Sequence, residues 1–318
     1  VSAHDLTMLV QALITRESLP DAYADTVKQT ILPLAEGIRD LHQRLGRTVI
    51  IGIHGAQGTG KSTLTEFLKH LLADYYGLAT ASFSLDDIYL TREERETLAD
   101  KVHPLLITRG VPGTHDLVLG QQTIDRLKEA GPHTLTPIPA FDKSRDDRAP
   151  EQDWDDFRGR AEVILVEGWC LGAAPEEQDE ALTQPVNELE RVEDADGHWR
   201  RYVNQQLQDD YQWFFGQLDW LIMLRAPSMA CVLEWRTLQE HKLAERLRNA
   251  PNQSDGAAAG ARHSRIMTDA QIVRFIMHYE RITHTCLAEM PRRADVVIDV
   301  AEDHSLGLPQ FSPTTEWH

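Results

Sequence analysis

The chain has 318 residues and a formal net charge of -18, from 32 basic and 50 acidic side chains; such a surface repels nucleic acid, and no run of Lys or Arg supplies a basic patch to override it. Hydrophobic residues make up 42%, enough to bury the core of one large or two smaller α/β domains, and no stretch approaches the ~18 consecutive apolar residues of a membrane span. The opening residues lack the basic and apolar regions of a leader, and Cys170, Cys231 and Cys286 are spaced too widely for a disulfide framework or a zinc site, so the expectation is a cytoplasmic protein with buried thiols.

Residues 1–45 read as helices packed on the outside of the core. Pro20 and Asp21 open the second of them, with Val27, Ile31, Leu34, Ile38 and Leu41 as its apolar face. Val49, Ile50, Ile51 and Ile53 then form a buried strand that runs into GAQGTGKS, residues 55–62. Gly55, Gly60, Lys61 and Ser62 fit G-x-x-x-x-G-K-[ST], and the strand before and the helix after are the context that gives this motif its meaning. Gly55, Gly58 and Gly60 let backbone N–H groups turn toward phosphate oxygens, with Ala56, Gln57, Thr59 and Thr63 completing the loop. The helix start adds free donors and the positive end of its dipole. Lys61 reaches the outer phosphates, and the Ser62 hydroxyl is placed to ligate Mg²⁺. Binding of a purine nucleoside triphosphate is the first expectation. In the helix, Leu64, Phe67, Leu68, Leu71 and Leu72 make one apolar stripe.

A second strand, Leu78 to Leu85, ends at Asp86 and Asp87. Ligands of open α/β sheets bind beyond the carboxyl ends of strands, and a carboxylate there can accept a proton from an attacking hydroxyl or act at a metal. The competing reading is an Asp pair that caps the next helix. In the segment 101–116, Gly110, Pro112 and Gly113 force a tight loop presenting Arg109, His115 and Asp116; a helix start at Thr114 competes for Asp116. A short helix, Gln121 to Ala130, leads to TPIPAFDKSRDDRAP, whose Lys143, Arg145 and Arg148 are the clearest local cluster of cations. Ala161 to Val166 is a third strand, followed by Glu167, a metal-side carboxylate in this context. Residues 175–200 read as acidic and irregular. A helix bearing Val203, Leu207, Tyr211 and Phe214 follows, then a fourth strand, Asp219 to Leu224. The helix begun by Pro227 and Ser228 carries Arg236, His241, Lys242 and Arg246 as candidates for a closing lid. Asn249 to Arg265 has a disorder-prone composition. Thr268 and Gln271 form a capping box for a helix with Ile272, Phe275, Ile276 and Tyr279 on its apolar face. Ala294 to Val300 is a fifth strand, and the proline-bearing tail reads as peripheral.

Alternating strands and helices predict an α/β P-loop NTPase fold, a three-layer sandwich whose mainly parallel five-stranded sheet is covered by helices on both faces. The expected organisation is an N-terminal helical extension over 1–45, a P-loop domain over 46–303 with a lid at about 228–266, and a tail over 304–318. Four stretches in order, GAQGTGKS, SLDDIYLT, RGVPGTHD followed by PAFDKSRDDRAP, and VEGW, resemble those of the plant- and fungal-type D-glycerate 3-kinases and their bacterial relatives, neighbours of the uridine, pantothenate and phosphoribulose kinases. The resemblance implies ATP-dependent phosphorylation of a small hydroxy acid with Mg²⁺. By this similarity Asp86 activates the acceptor hydroxyl, and RGVPGTHD and FDKS line the acceptor pocket, with WRTLQEHKL in the lid. Lys61, Asp86, Glu167 and Arg236 are thus the catalytic candidates, and Ser62, Asp86 and Glu167 the metal candidates. Asp87, Tyr89, Arg109, His115, Asp116, Lys143 and Arg148 are the candidates for a small anionic substrate. The alternatives are a kinase of the same group with a nucleoside, pantothenate or sugar phosphate as acceptor, or a nucleotide-switch regulator.

Overall fold

The computed structural model describes residues 3–249 and 267–313. Its strands in chain order are β1 (Val49–Gly55), β2 (Thr80–Ser84), β3 (Leu135–Ile138), β4 (Phe141–Asp142), β5 (Asp147–Arg148), β6 (Asp155–Arg158), β7 (Val163–Gly168), β8 (Trp220–Arg225), β9 (Val296–Asp299) and β10 (Gln310–Phe311). The main sheet has the order β10-β9-β8-β1-β7-β2. All its pairings are parallel except that of β10 with β9. Two small antiparallel ribbons, β3 with β6 and β4 with β5, lie in the segment between β2 and β7.

The period of the strands explains the layering. Side chains alternate between faces of a pleated sheet. Ile50, Ile164, Val166, Leu221 and Met223 accordingly enter one apolar cluster, and Val49, Ile51, Ile53, Val163, Leu165 and Ile222 enter the other. Continuous Ile/Leu/Val runs are what a parallel sheet covered on both faces requires. The second cluster is closed by the N-terminal helices and the helix after β1, whose Leu64, Phe67, Leu68, Leu71 and Leu72 are all fully buried. The first is closed by helices Leu117–Glu129 and His198–Gln206 and the turns that continue the latter to Phe215. The mainly parallel sheet and its two helical layers are those expected.

Several local expectations change. β2 stops at Ser84 because Leu85–Ile88 closes into a 3-10 turn. The helix expected from Gln121 begins at Leu117, with Asp116 rather than Thr114 at its cap. Residues 175–200 hold a 3-10 turn, Asp179–Leu182, and a helix, Glu188–Glu193, capped by Asn187; the acidic composition hid a buried ion pair between Arg281 and Glu190 at 2.7 Å. The tail is less peripheral than expected. It turns back so that β10 adds a short antiparallel strand at the sheet edge. The Ala/Gly-rich stretch expected to be disordered lies, but for Asn249, outside the described residues, as do residues 314–318.

Candidate functional site

β1 delivers the chain to the loop after Gly55, and the next helix starts at Lys61. Gly58 and Gly60 have φ of 84° and 89°, a region open to glycine at little cost. Gly55 is needed for space, since a Cβ there would lie 2.4 Å from Thr59 Oγ1. Thr59 Oγ1 and Lys61 Nζ both donate to the Ala56 carbonyl, at 2.7 and 3.2 Å, so the loop is cross-braced from within. Gln57 Oε1 is buried with no partner among the described residues.

Lys61, Ser62, Asp86, Glu167 and Arg236 line one cavity of about 470 Å³, together with Gln57, Gly58, Gly60 and Thr63 of the loop. The parallel register brings the carboxylates there: Glu167 sits opposite Ile53 on one side and Ser84 on the other, so β1, β2 and β7 end together. Ser62 Oγ lies 3.3 Å from Glu167 Oε1. Glu167 Oε2 is buried with no partner among the described residues. A hydroxyl beside a carboxylate with an orphaned oxygen suits a hard cation that takes its remaining ligands from phosphate and water. No group of three or more His, Cys, Asp or Glu gathers among the described residues to form an all-protein metal site.

Asp86 is engaged at both oxygens. Tyr89 Oη donates to Oδ1 at 2.7 Å, and Lys143 Nζ donates to Oδ2 at 2.6 Å. Burial pushes the Asp86 carboxyl up, but the Lys143 charge and hydrogen bond, the Tyr89 hydroxyl and the Lys61 charge together outweigh it and hold the group at about 2. Burial also draws the Lys61 ammonium below its ordinary value, opposed by Glu167 and Asp86. Burial raises the Tyr89 phenol well above its usual range.

Among the acceptor candidates, Tyr89, Arg109 and Lys143 line the cavity. The other four do not. Asp87 Oδ2 accepts from Ser84 N at 2.8 Å and completes a capping box, so the helix-cap reading describes it; burial pushes its carboxyl up to about 6, against the Ser84 hydrogen bond. His115 is buried, stacks on Tyr89 with centroids 4.8 Å apart, and pairs its Nδ1 with Tyr211 Oη at 2.5 Å. Burial lowers its imidazole to about 4. Asp116 accepts from Leu119 N as the helix cap and from Arg148 Nη2 at 2.9 Å, and Arg148 also donates to the Tyr89 carbonyl. These groups brace the cavity wall from behind.

The structure brings to the site residues that the sequence had not singled out for it. Trp169, Gln239, Phe275 and Tyr279 line the same cavity. Tyr279 Oη donates to the Arg109 carbonyl at 3.0 Å, and Trp169 Nε1 donates to that of Gly110 at 2.8 Å. Gly110, with φ of 139°, packs so closely on Tyr279 that a Cβ would lie 2.0 Å from the phenolic oxygen. Phe275 and Tyr279 read as core because of their helical spacing; Gln239, three residues after Arg236, shares its helix face and could have been found from that. A neighbouring cavity of about 900 Å³ shares Arg109, Lys143 and Arg236 and adds Asp146 and Lys242. On the loop's other flank, His304 Nδ1 donates to the Gly58 carbonyl at 2.9 Å, and its ring lies on Trp235.

No family model matches the sequence. The chain is 28% identical over 272 residues to the chloroplastic D-glycerate 3-kinase of Arabidopsis thaliana, covering 81% of this chain and 53% of that one, and so spans about half the plant protein's length. It is 31% identical over 241 residues to the uncharacterized kinase mug58 of Schizosaccharomyces pombe, covering 74% of this chain and 79% of that one. The chain belongs to the D-glycerate 3-kinase family of P-loop kinases. A solved D-glycerate 3-kinase from Cryptococcus neoformans superposes with a TM-score of 0.69 at 23% identity over 89% of this chain and 99% of the other, a likeness of fold. Membership of the D-glycerate 3-kinase family makes this chain an ATP-dependent phosphotransferase with a small-molecule hydroxyl as acceptor.

Proposed function

We propose that this kinase transfers the γ-phosphate of ATP to a hydroxyl of D-glycerate, giving 3-phosphoglycerate. The observation that carries the reading is the placement of Arg109 and Lys143, on one cavity wall, within the same space as Lys61 and Asp86. A small carboxylic acid needs cations and a nearby proton acceptor, and a neutral nucleoside does not need the cations. The name of the plant relative supports this choice of acceptor.

In this reading the Gly55–Ser62 loop holds the triphosphate, and Ser62 with Glu167 would hold Mg²⁺, which spreads the charge of the transferring phosphoryl group. Asp86 accepts the proton of the attacking hydroxyl. A carboxylate held near 2 is a poor base at neutral pH. When the acceptor's own carboxylate draws the Lys143 ammonium away, the largest charge that depresses Asp86 leaves it. The base is thereby strengthened by arrival of the correct substrate. Lys61 and Arg236 face the transferred group from the loop and from the helix Met229–Asn249, which we assign as the lid.

ADP release should be measured with D-glycerate, uridine, pantothenate and no acceptor. Turnover with D-glycerate is expected to exceed the others by orders of magnitude. Equal turnover without acceptor would instead identify a nucleotide switch, and preference for uridine or pantothenate would move the acceptor within the group.

A further inference from the structure

Arg95 is the largest fully buried side chain among the described residues, at 0% exposure. A buried guanidinium must satisfy its N–H groups and its charge. Arg95 Nε donates to the Leu90 carbonyl at 3.3 Å and Nη1 to the Ile107 carbonyl at 2.7 Å, while Nη2 donates to the Asp146 carbonyl at 2.6 Å. Its carboxylate partner is Asp146, whose Oδ2 lies 3.2 Å from Nη1. Asp146 sits in the β4–β5 turn with φ of 55°, a left-handed conformation that Asp and Asn tolerate better than other side chains. Its other oxygen, Oδ1, accepts from Arg109 Nη1. The Phe141 ring packs against both guanidinium groups, its centroid 5.9 Å from Arg95 Cζ and 5.5 Å from Arg109 Cζ.

One carboxylate is therefore shared by two cations, and the triad keeps one net positive charge. Arg95 is in the lining of neither cavity. Arg109 lines both. The surplus charge is thus presented at the acceptor side, in a protein of net charge -18. Lys143 contrasts with it: that side chain is 59% exposed and, among the described residues, is held only through Asp86, whereas Arg109 is 26% exposed and fixed by Asp146, with its backbone carbonyl tied by Tyr279.

We propose that Arg95 and Asp146 are positioning residues that lock Arg109 as the fixed reader of the acceptor's carboxylate, leaving Lys143 as the mobile one. This rests on the D-glycerate reading above. A guanidinium pre-set in its orientation loses little freedom on binding an anion, which lowers the cost of capture.

The test uses the full chain and the variants Asp146→Asn, Arg109→Ala and their combination, with D-glycerate varied at saturating ATP and ATP varied at saturating D-glycerate. Asparagine keeps the size and the left-handed tolerance but loses the charge and the second acceptor oxygen. D146N is expected to raise the D-glycerate KM about 10-fold with the ATP KM near that of the unaltered protein, while Tm falls because Arg95 loses its carboxylate partner; kinetics are therefore measured well below the variant's Tm. The double variant should be no worse than R109A alone, because Asp146 acts through Arg109. An unchanged D-glycerate KM in D146N, or effects that multiply in the double variant, overturns the proposal and leaves the substrate assignment standing. Absence of D-glycerate turnover in the unaltered protein takes down that assignment first, and this one with it.

Discussion

At the scale of single residues, the division of labour among carboxylates follows from what each one touches. Asp86 faces Lys61 across the cavity, and its two oxygens are held by side chains that an acceptor can compete with. Asp86→Asn should therefore lower kcat by about 10² to 10⁴-fold with little change in ATP affinity, measured by steady-state kinetics and nucleotide titration; an unimpaired kcat removes the base from Asp86. His115 gives a prediction of stability. Its folded value, lowered to about 4 by burial, means that the unfolded chain takes up a proton first, near pH 6.5. This contribution is complete above about pH 6.5 and is lost as pH falls toward 4, on the order of 2–3 kcal/mol. Asp87, raised to about 6, acts in the opposite sense, so the clean measurement is the difference between His115→Gln and the unaltered protein in urea melts at pH 7, 5.5 and 4.5. The variant's curve should be flatter, and parallel curves would refute the buried neutral imidazole. Lys61, Asp86 and Glu167 were legible in the sequence because strand ends and a loop motif place them locally. His115 and Arg148 were not, because their partners Tyr211 and Asp116 stand 96 and 32 residues away, and nothing in a local window distinguishes a bracing histidine from a binding one.

At the scale of elements, the glycine loop is braced from two directions. Inside it, Thr59 and Lys61 share one carbonyl; outside it, His304 donates to Gly58 and Trp235 donates to the Glu302 carbonyl at 3.0 Å. A Cβ on Gly58 would lie 2.8 Å from Trp235 Cβ, so the helix Met229–Asn249 packs directly on the loop. Breaking the outer brace with His304→Ala is expected to raise the ATP KM about 2- to 10-fold and to leave the acceptor KM unchanged, since His304 is in the lining of neither cavity that Arg109 lines. A shift confined to the acceptor KM would show that this brace does not serve the nucleotide. The loop, its helix and the five parallel strands were readable from periodicity, and the short strands of the two ribbons were not. The C-terminal return was not: β10 is a two-residue pairing that exists only because β9 offers it an edge, and a pair of residues carries no periodic signal.

At the scale of the molecule, the two apolar clusters hold a sheet whose carboxyl edge brings Lys61, Asp86 and Glu167 to the cavity, in a protein of net charge -18. A ligand that binds only this folded edge stabilises the whole chain by about 2.7 kcal/mol at 100 times its Kd. ADP should therefore raise Tm in the presence of Mg²⁺. Chelation with EDTA should abolish phosphoryl transfer and reduce that rise, as expected if Ser62 and the orphaned Glu167 oxygen meet the nucleotide through a divalent ion. Full turnover in EDTA would exclude that role. Lastly, the residues proposed to choose the acceptor and those proposed to grip ATP come from different stretches of chain. Asp86, Arg109, Lys143 and Asp146 all fall between the end of β2 and the start of β7, whereas the triphosphate loop, Glu167 and the His304 brace lie outside that interval. A single contiguous cassette could then be exchanged between relatives, by recombination or by grafting, to retarget the alcohol while the energy-supplying half is inherited intact.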